Sequence, residues 1–239
     1  MHKWLEHIKK IECKQIDYHK ESGDYFEFKP GKIPILISAP HGARHLRNGS
    51  WKEEDEYTSS IAIKLAELTG AHVIYVKNRT TEDPNHDKVA GYKYAIKKVV
   101  KDYGIKFLAD LHGADKDRDF KVCVGIISKD PKECSCPSFK DIIEEVFSGF
   151  QNPIFNLEGL SAADPGTVTY FARHKCEGLE SAQFEINAKY RIVERKPDSS
   201  KAIEGEDDPN FKAKEEDVLE LIKLMQKLIN EINKTWCKK

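Results

Sequence analysis

The chain has 239 residues, a length that suits one α/β domain with a large core and is short for two. Its 39 lysine and arginine residues nearly balance its 40 aspartate and glutamate residues, so charge gives no reason to expect nucleic acid or an acidic membrane as a partner. No apolar run is long enough for a membrane span, and the amino terminus does not resemble a signal peptide. We therefore expect a single cytoplasmic domain over residues 1–239, and the oligomeric state is left open.

Segments with strand character alternate with segments of helical period, which predicts a sheet covered by helices on both faces. An amphipathic start leads into a predicted hairpin that reaches residues 26–28, and residues 33–39 form the first predicted central strand. Apolar residues at positions 61, 65 and 68 share a helical stripe, so we expect a helix from about residue 55 to residue 68. The later predicted elements are strands at 71–76, 107–111, 122–127 and 182–186, helices at 92–103 and 141–147, an extended segment at 153–155, and a terminal helix with apolar positions between 218 and 232. We expect the strand at 122–127 to pair with the strand at 107–111.

Two short segments each place a histidine where an apolar run ends. His41 lies in Ser-Ala-Pro-His-Gly after the run at 35–37, and His112 lies in Ala-Asp-Leu-His-Gly after the run at 105–108. The carboxyl ends of buried strands are where open α/β sheets hold their ligands. Each histidine precedes a glycine, which allows the backbone to turn sharply beside an ion. A single histidine among the nine is more often an ordinary buried or surface residue, but two in the same context favour a metal site.

Carboxylates supply the other parts of a hydrolytic zinc site. Four acidic residues occupy positions 53–56, and either metal binding or the dipole at the start of a helix explains them. Glu185 lies between Phe184 and Ile186 in a predicted strand, where a buried carboxylate needs a partner; the alternative is the solvated face of an edge strand. Two imidazoles, one carboxylate ligand and one spare carboxylate are the groups that such a site requires. In this scheme Glu185 accepts a proton from water and returns one to the leaving nitrogen.

Polar side chains on loops are the candidates for substrate binding. A guanidinium holds a carboxylate through two parallel hydrogen bonds. Arg118 follows the second histidine segment, and Arg79 and Asn85 lie in the polar loop after the strand at 71–76. A surface salt bridge is the alternative fate of either arginine.

The six cysteines are scattered, without the dense framework of a small secreted domain, so we expect most of them to be reduced. Cys134 and Cys136 lie close together in a loop between two prolines. The pair is compatible with a second metal or a redox couple, although two thiols without evident partners are more often structural.

The order and spacing of these segments resemble the N-formylglutamate amidohydrolase family, which is distantly similar to zinc carboxypeptidases and to the aspartoacylase and succinylglutamate desuccinylase group. The resemblance runs from about residue 33 to residue 191. It rests on both histidine segments, Asp55, the segments at 70–74 and 83–85, Arg118 and the Gln-Phe-Glu at 183–185. Each piece is short, so the specificity lies in their ordered combination.

The resemblance implies a three-layer α/β/α sandwich with a mixed central sheet, of the phosphorylase/hydrolase type, that holds one zinc ion per chain. It implies that His41, Asp55 and His112 are the zinc ligands, with Glu56 as the alternative to Asp55. Glu185 would then be the general base and acid.

The implied activity is hydrolysis of the amide C–N bond of a small N-acyl amino acid, N-formyl compounds included. The family's Asp-x-Asn-Arg segment corresponds here to residues 83–86, so His86 replaces the arginine that would bind a substrate carboxylate. Arg79 or Arg118 would supply the missing charge, or the substrate lacks that carboxylate. The alternatives are a carboxypeptidase-like or cell-wall peptide hydrolase with the same centre, and a non-catalytic metal- or ligand-binding protein of the same fold.

Overall fold

The computed structural model describes residues 1–151 and 154–237. Its helices are α1 (Lys3–Gln15), α2 (Thr58–Thr69), α3 (Gly91–Tyr103), α4 (Lys140–Ser148), α5 (Val168–Lys175), α6 (Ser200–Ile203) and α7 (Glu215–Cys237). Its strands are β1 (Asp17–Glu21), β2 (Phe26–Lys29), β3 (Ile35–Ala39), β4 (His45–Arg47), β5 (Ser50–Lys52), β6 (His72–Val76), β7 (Asn78–Arg79), β8 (Phe107–Ala114), β9 (Val122–Gly125), β10 (Ile154–Phe155) and β11 (Glu180–Asn187). The predicted helices at 92–103 and 141–147 and the predicted strand at 182–186 are confirmed, whereas Pro153 of the predicted extended segment lies outside the described residues.

Seven strands form the central sheet, in the order β10-β9-β11-β8-β3-β6-β2. The neighbouring strands β11, β8, β3 and β6 are parallel to one another, while β9 and β2 run antiparallel to β11 and β6. The sheet is therefore mixed. Parallel strands require cover on both faces, and every residue of β3 and β6 is buried. Because the four central strands run the same way, their carboxyl ends meet at one edge.

Helices cover the sheet as two outer layers. On one side α2 packs on β3, β6 and β8, and α1 and α7 pack on α2. On the other side α5 packs on β11 and β8, and α3 packs against α5. The apolar stripe of α7 is buried in the core, including Leu221, Met225 and Leu228. These layers form the α/β/α sandwich that the sequence predicts. Within the described ranges no helix is long and apolar enough to cross a membrane.

Two predicted strand pairings are wrong because distant segments supply the partners, and one predicted helix begins three residues later than expected. The expected hairpin does not form, since β1 pairs with β7 and β2 pairs with β6. The strand at 122–127 is β9, and it pairs with β11 rather than with β8 because β11 lies between them. The helix expected from residue 55 begins at Thr58, after Tyr57 with a left-handed φ of 68°. Asp55 therefore lies in a turn that precedes the helix, and not in its first turn.

Candidate metal centre and active-site cavity

His41 lies just past the carboxyl end of β3, in the turn that follows Pro40. The backbone N–H of Asp55 donates to the carbonyl oxygen of His41 over 2.7 Å, which ties the two residues together although they are far apart along the chain. Gly42 packs closely here: a Cβ at this position would lie 2.6 Å from the carbonyl oxygen of Val76 and closer still to Ser59. Glycine at 42 therefore allows the turn to approach β6 and α2.

His112 lies within β8, near its carboxyl end, and Glu185 is its direct neighbour in the register of the adjacent strand β11. The sequence predicts a sharp turn at the following Gly113, but that residue continues the strand. Its lack of a side chain serves packing instead, since a Cβ would lie 2.7 Å from the guanidinium of Arg191. The parallel ladder between β8 and β11 thus delivers His112 and Glu185 side by side.

The three residues implied as metal ligands converge. The Nδ1 atom of His41 lies 3.5 Å from Oδ2 of Asp55, and the Nδ1 atom of His112 lies 3.4 Å from the same oxygen. Ligand atoms of the three residues all lie within 4.8 Å of one another. In a tetrahedral zinc site with bonds of about 2.0–2.1 Å, neighbouring ligand atoms are about 3.3–3.4 Å apart. The donor types and their spacing therefore fit a small dication.

Each of the two histidines has its own buried aspartate, which contacts the Nε2 atom of the ring. Nε2 of His41 lies 2.8 Å from Oδ1 of Asp83, and Nε2 of His112 lies 3.1 Å from Oδ2 of Asp110. Both aspartates are fully buried. A carboxylate on Nε2 fixes the ring orientation and keeps a proton there, so Nδ1 is the nitrogen that would bind a metal beside Asp55 after losing its own proton. This carboxylate support is typical of histidines that bind metals.

The electrostatics of the cluster favour positive charge. Burial alone would lower the pKa of His112, but Asp110 and Asp55 raise it well above the ordinary value. Asp83 and Asp55 likewise raise the pKa of His41 against the effect of burial. Hydrogen bonds from His112 and His41 hold the pKa of Asp55 well below its usual range, although burial opposes this. The cluster is thus built to hold a cation, whether protons or a metal.

Glu185 lines the same cavity and is 7% exposed. Its Oε1 accepts a hydrogen bond of 2.7 Å from Nε2 of Gln183, two residues earlier on β11. Burial raises the pKa of Glu185 to about 7, against the lowering effect of His112. A carboxyl group with a pKa near neutrality can both accept and donate a proton under the same conditions.

The cavity has a volume of about 420 Å³, within the range of small-molecule sites. His41, Asp55, His112 and Glu185 all line it. Its walls come from the loops at 83–87 and 159–167 and from the hairpin β4–β5, and the side chains that line them include Arg47, Asn85, His86, Asp164 and Thr167. Asn85 joins two walls, because its Oδ1 accepts from the backbone N–H of Val168 over 2.7 Å.

The remaining candidates from the sequence lie elsewhere. Arg79 forms an ion pair with Glu21 and stacks over Trp51, outside the cavity. Arg118 lines a separate surface depression, together with acidic and basic neighbours. Arg79 therefore matches the salt-bridge alternative, and both arginines lie outside the cavity.

Glu56, the alternative to Asp55, points away from the histidines. Its carboxylate accepts from Nε of Arg195 over 3.1 Å, and both side chains are buried. Burial raises the pKa of Glu56 to about 7 although Arg191 and Arg195 lower it. The geometry therefore favours Asp55 as the carboxylate of the cluster.

Cys134 and Cys136 are both buried and form no disulfide. The backbone N–H of Cys136 donates to Sγ of Cys134 over 3.4 Å. Among the described residues, none of the groups with metal-ligand geometry includes a cysteine. The pair thus belongs to the core, in agreement with the structural alternative.

Sequence reasoning missed Arg47, Asp83, Asp110 and His45. His45 stacks on His41 with ring centroids 3.9 Å apart, and burial lowers its pKa to about 3, so it is neutral. The spacing Asp-x-His at 110–112 is a local signal for a supporting carboxylate, because side chains two apart on a strand share a face. No comparable signal joins Asp83 to His41, which are 42 residues apart.

No protein-family model matches the chain, and no curated protein sequence matches it either. Solved structures do match. N-formylglutamate amidohydrolase from Ralstonia eutropha JMP134 aligns with a TM-score of 0.57 at 12% identity, covering 88% of this chain and 97% of that one. This chain shares its fold. A gene product of Agrobacterium tumefaciens aligns with a TM-score of 0.57 at 11% identity, covering 93% of this chain and 100% of its own. A bacteriophage poly-gamma-glutamate hydrolase aligns with a TM-score of 0.51 at 14% identity, covering 89% and 92%.

Proposed function

We propose that this protein is a zinc-dependent hydrolase that cleaves the amide C–N bond of a small N-acyl amino acid or a related compound. The observation that carries the proposal is the convergence of His41, Asp55 and His112 in a cavity that Glu185 also lines. The structural similarity to an amidohydrolase agrees with it at the level of the fold.

In this proposal His41 and His112 hold the metal through their Nδ1 atoms, and Asp55 holds it through a carboxylate oxygen. Bound zinc would supply Lewis acidity, which lowers the pKa of a water molecule and polarises an acyl oxygen. Asp83 and Asp110 keep the two imidazoles oriented while this happens.

Glu185 moves the proton. In its carboxylate form it accepts a proton from the water that attacks the acyl carbon. In its carboxylic acid form it donates that proton to the amide nitrogen as the C–N bond breaks, so the amine leaves neutral. Gln183 holds the carboxyl group in one orientation through both halves of this cycle.

Metal analysis of the purified protein is the first test. We expect about one tightly held zinc ion per chain, as in other sites of this type. His112→Ala should lose that metal. His174→Ala is the matched control, because His174 lies exposed on α5 beside Tyr170, outside the cavity. Wild-type protein without bound metal after purification in zinc-containing buffer would contradict the proposal.

A substrate panel is the second test. N-formyl, N-acetyl and N-succinyl amino acids should be hydrolysed, and their hydrolysis should stop on removal of zinc with a chelator and return on its addition. Di- and tripeptides, cell-wall peptides and poly-gamma-glutamate form the other arm. Hydrolysis confined to that arm would favour a peptide hydrolase with the same centre, and zinc binding without hydrolysis of either arm would favour a binding protein.

A further inference from the structure

Arg47 lines the cavity, although the sequence analysis did not name it as a candidate. It lies at the end of β4, in the hairpin β4–β5, where Arg47 pairs with Ser50 across the two-residue turn Asn48-Gly49. Both turn residues have positive φ, 51° and 77°, as a tight hairpin of this type requires. The hairpin is anchored to the rest of the fold, because the backbone N–H of Leu46 donates to Thr80.

Asp83 holds this guanidinium from one side only. Nε of Arg47 donates to Oδ2 of Asp83, while Oδ1 of the same carboxylate takes Nε2 of His41. Among the described residues, this is the only hydrogen bond that the Arg47 side chain makes. The Arg47 side chain is 35% exposed and lines the cavity, and neither of its Nη groups has a hydrogen-bond partner among the described residues. A fork held at Nε is pre-oriented for a planar anion.

The residues around Arg47 in the cavity indicate which ligand chemistry would fit there. His86 lines the same cavity and its side chain is 39% exposed, with Nδ1 3.3 Å from Oδ1 of Asp87. The acidic groups of the cavity are the cluster carboxylate Asp55, Glu185 and Asp164, whose Oδ1 already accepts from the backbone N–H of Gly166. An anion with two coplanar oxygens is the group that a guanidinium fork binds best.

We propose that Arg47 is the specificity-determining residue of the cavity and binds a carboxylate of the N-acyl amino acid substrate. This inference rests on the proposed function, and it assigns the carboxylate contact to the β4–β5 hairpin instead of to Arg79 or Arg118. An uncharged analogue of the same size would leave the fork unpaired and bind less tightly.

The test measures binding in the absence of turnover. The probes are N-acetyl-L-glutamate and its diamide, titrated by calorimetry into zinc-loaded Glu185→Gln protein. We expect the diacid to bind about 10- to 100-fold more tightly than the diamide, the range for hydrogen bonds to a charged group. Adding Arg47→Met should bring this ratio close to one, and Arg47→Lys should give an intermediate ratio because it keeps the charge without the fork. Arg173→Met, on the outer helix α5, is the matched arginine control and should leave the ratio unchanged.

The ratio separates the subsite from general damage to the site. Loss of zinc affinity on substitution of Arg47, through Asp83 and His41, would weaken both probes together and leave their ratio intact. Three results would each overturn the inference. The Glu185→Gln protein that keeps Arg47 could bind the two probes equally, it could fail to bind the diacid, or the preference for the diacid could survive in Arg47→Met. If the preference follows Arg47 but wild-type protein hydrolyses no N-acyl amino acid, then the proposed function fails and the carboxylate subsite stands.

Discussion

The two histidines of the candidate metal centre are supported in different ways. We call one half of the centre the strand half: it contains His112, Asp110 two residues earlier on β8, and Glu185 beside His112 on β11. His41 belongs to a loop half, in which Asp83 joins it to Arg47 from another segment. The pairing of the parallel strands β8 and β11 fixes the positions of all three side chains of the strand half together. The loop half depends on one buried carboxylate, so we expect it to be more sensitive to single substitutions.

The largest effect is expected from Glu185→Gln in the strand half. Loss of a group that both accepts and donates the proton should reduce kcat by about 10²- to 10⁴-fold while zinc stays bound. Steady-state kinetics and metal analysis of the same preparation check both parts. Glu180→Gln is the matched control, because Glu180 lies at the opposite end of β11 and accepts from the backbone of Ser138. A Glu185→Gln variant with near-normal turnover would remove Glu185 from the proton-transfer role.

Substitution of the supporting aspartates compares the two halves directly. Asp83→Asn and Asp110→Asn should each weaken zinc binding by about 10- to 100-fold, the usual effect of removing an outer carboxylate. The loss should be greater for Asp83→Asn, because Asp83 also contacts Arg47 and lies 3.4 Å from His45. Competition with a chromophoric chelator measures both constants. Equal losses would show that the extra contacts of Asp83 do not matter for the metal.

The pH dependence of zinc binding tests both halves together. In the metal-free protein the pKa values of His41 and His112 are raised, since the neighbouring aspartates outweigh burial. Zinc requires neutral imidazoles, so its binding releases these protons and its affinity should rise with pH through and above about 6.5. Calorimetry in buffers of different ionisation enthalpy counts the protons released. Zinc binding without proton release at about pH 7 would contradict the assignment of these ligands.

The same raised pKa values predict how the stability of the metal-free protein depends on pH. A histidine whose folded pKa lies above its unfolded value of about 6.5 contributes stability that is complete below that value. This contribution is lost as the pH rises through the folded pKa. Denaturant unfolding across that range should therefore show this contribution declining with pH in the metal-free form. The zinc-loaded form should gain stability with pH, because metal binding strengthens.

The smallest effect concerns packing behind the strand half. Gly113→Ala would place a Cβ 2.7 Å from the guanidinium of Arg191, which donates to the carbonyl oxygens of Glu56 and Ile186. We expect a loss of about 1–3 kcal/mol in the free energy of unfolding. Gly149→Ala is the control, because a Cβ there meets no atom within 4 Å and the backbone φ is −81°. Equal unfolding midpoints for the two variants would show that Arg191 moves aside at little cost.

The local hydrophobic pattern of the sequence was sufficient to predict how strands and helices alternate along the chain. It was not sufficient to predict which strands pair in the sheet. The apolar runs at 35–37 in β3 and 107–109 in β8 are visible in the sequence because strands covered on both faces are largely apolar. In β11 the apolar residues alternate with polar ones. The order of the strands in the sheet is not visible, since β9 and β2 pair with strands that are distant along the chain. The expected hairpin and the expected pairing of 122–127 both failed for this reason.

The site shows the same division. His41, His112 and Glu185 were identifiable, because a polar residue at the end of an apolar run, or within it, needs a reason to be there. The structure brings them to one cavity with Asp55. Arg79 and Arg118 lie outside that cavity, whereas Arg47 lines it, and all three occupy loops or short strands. Nothing in a loop sequence specifies which way a long basic side chain points.

The sequence by itself determined the class of fold and the two histidine segments, since these follow from hydrophobic period and from the cost of burying polar groups. It named Glu185 as a candidate but left its burial open, and the structure shows it buried. Only the tertiary structure decided that Asp55 faces the histidines while Glu56 faces Arg195, and that Asp83 supports His41. These contacts join residues that are 14 or more positions apart along the chain. Such contacts are set by the packing of the whole sheet and its helices.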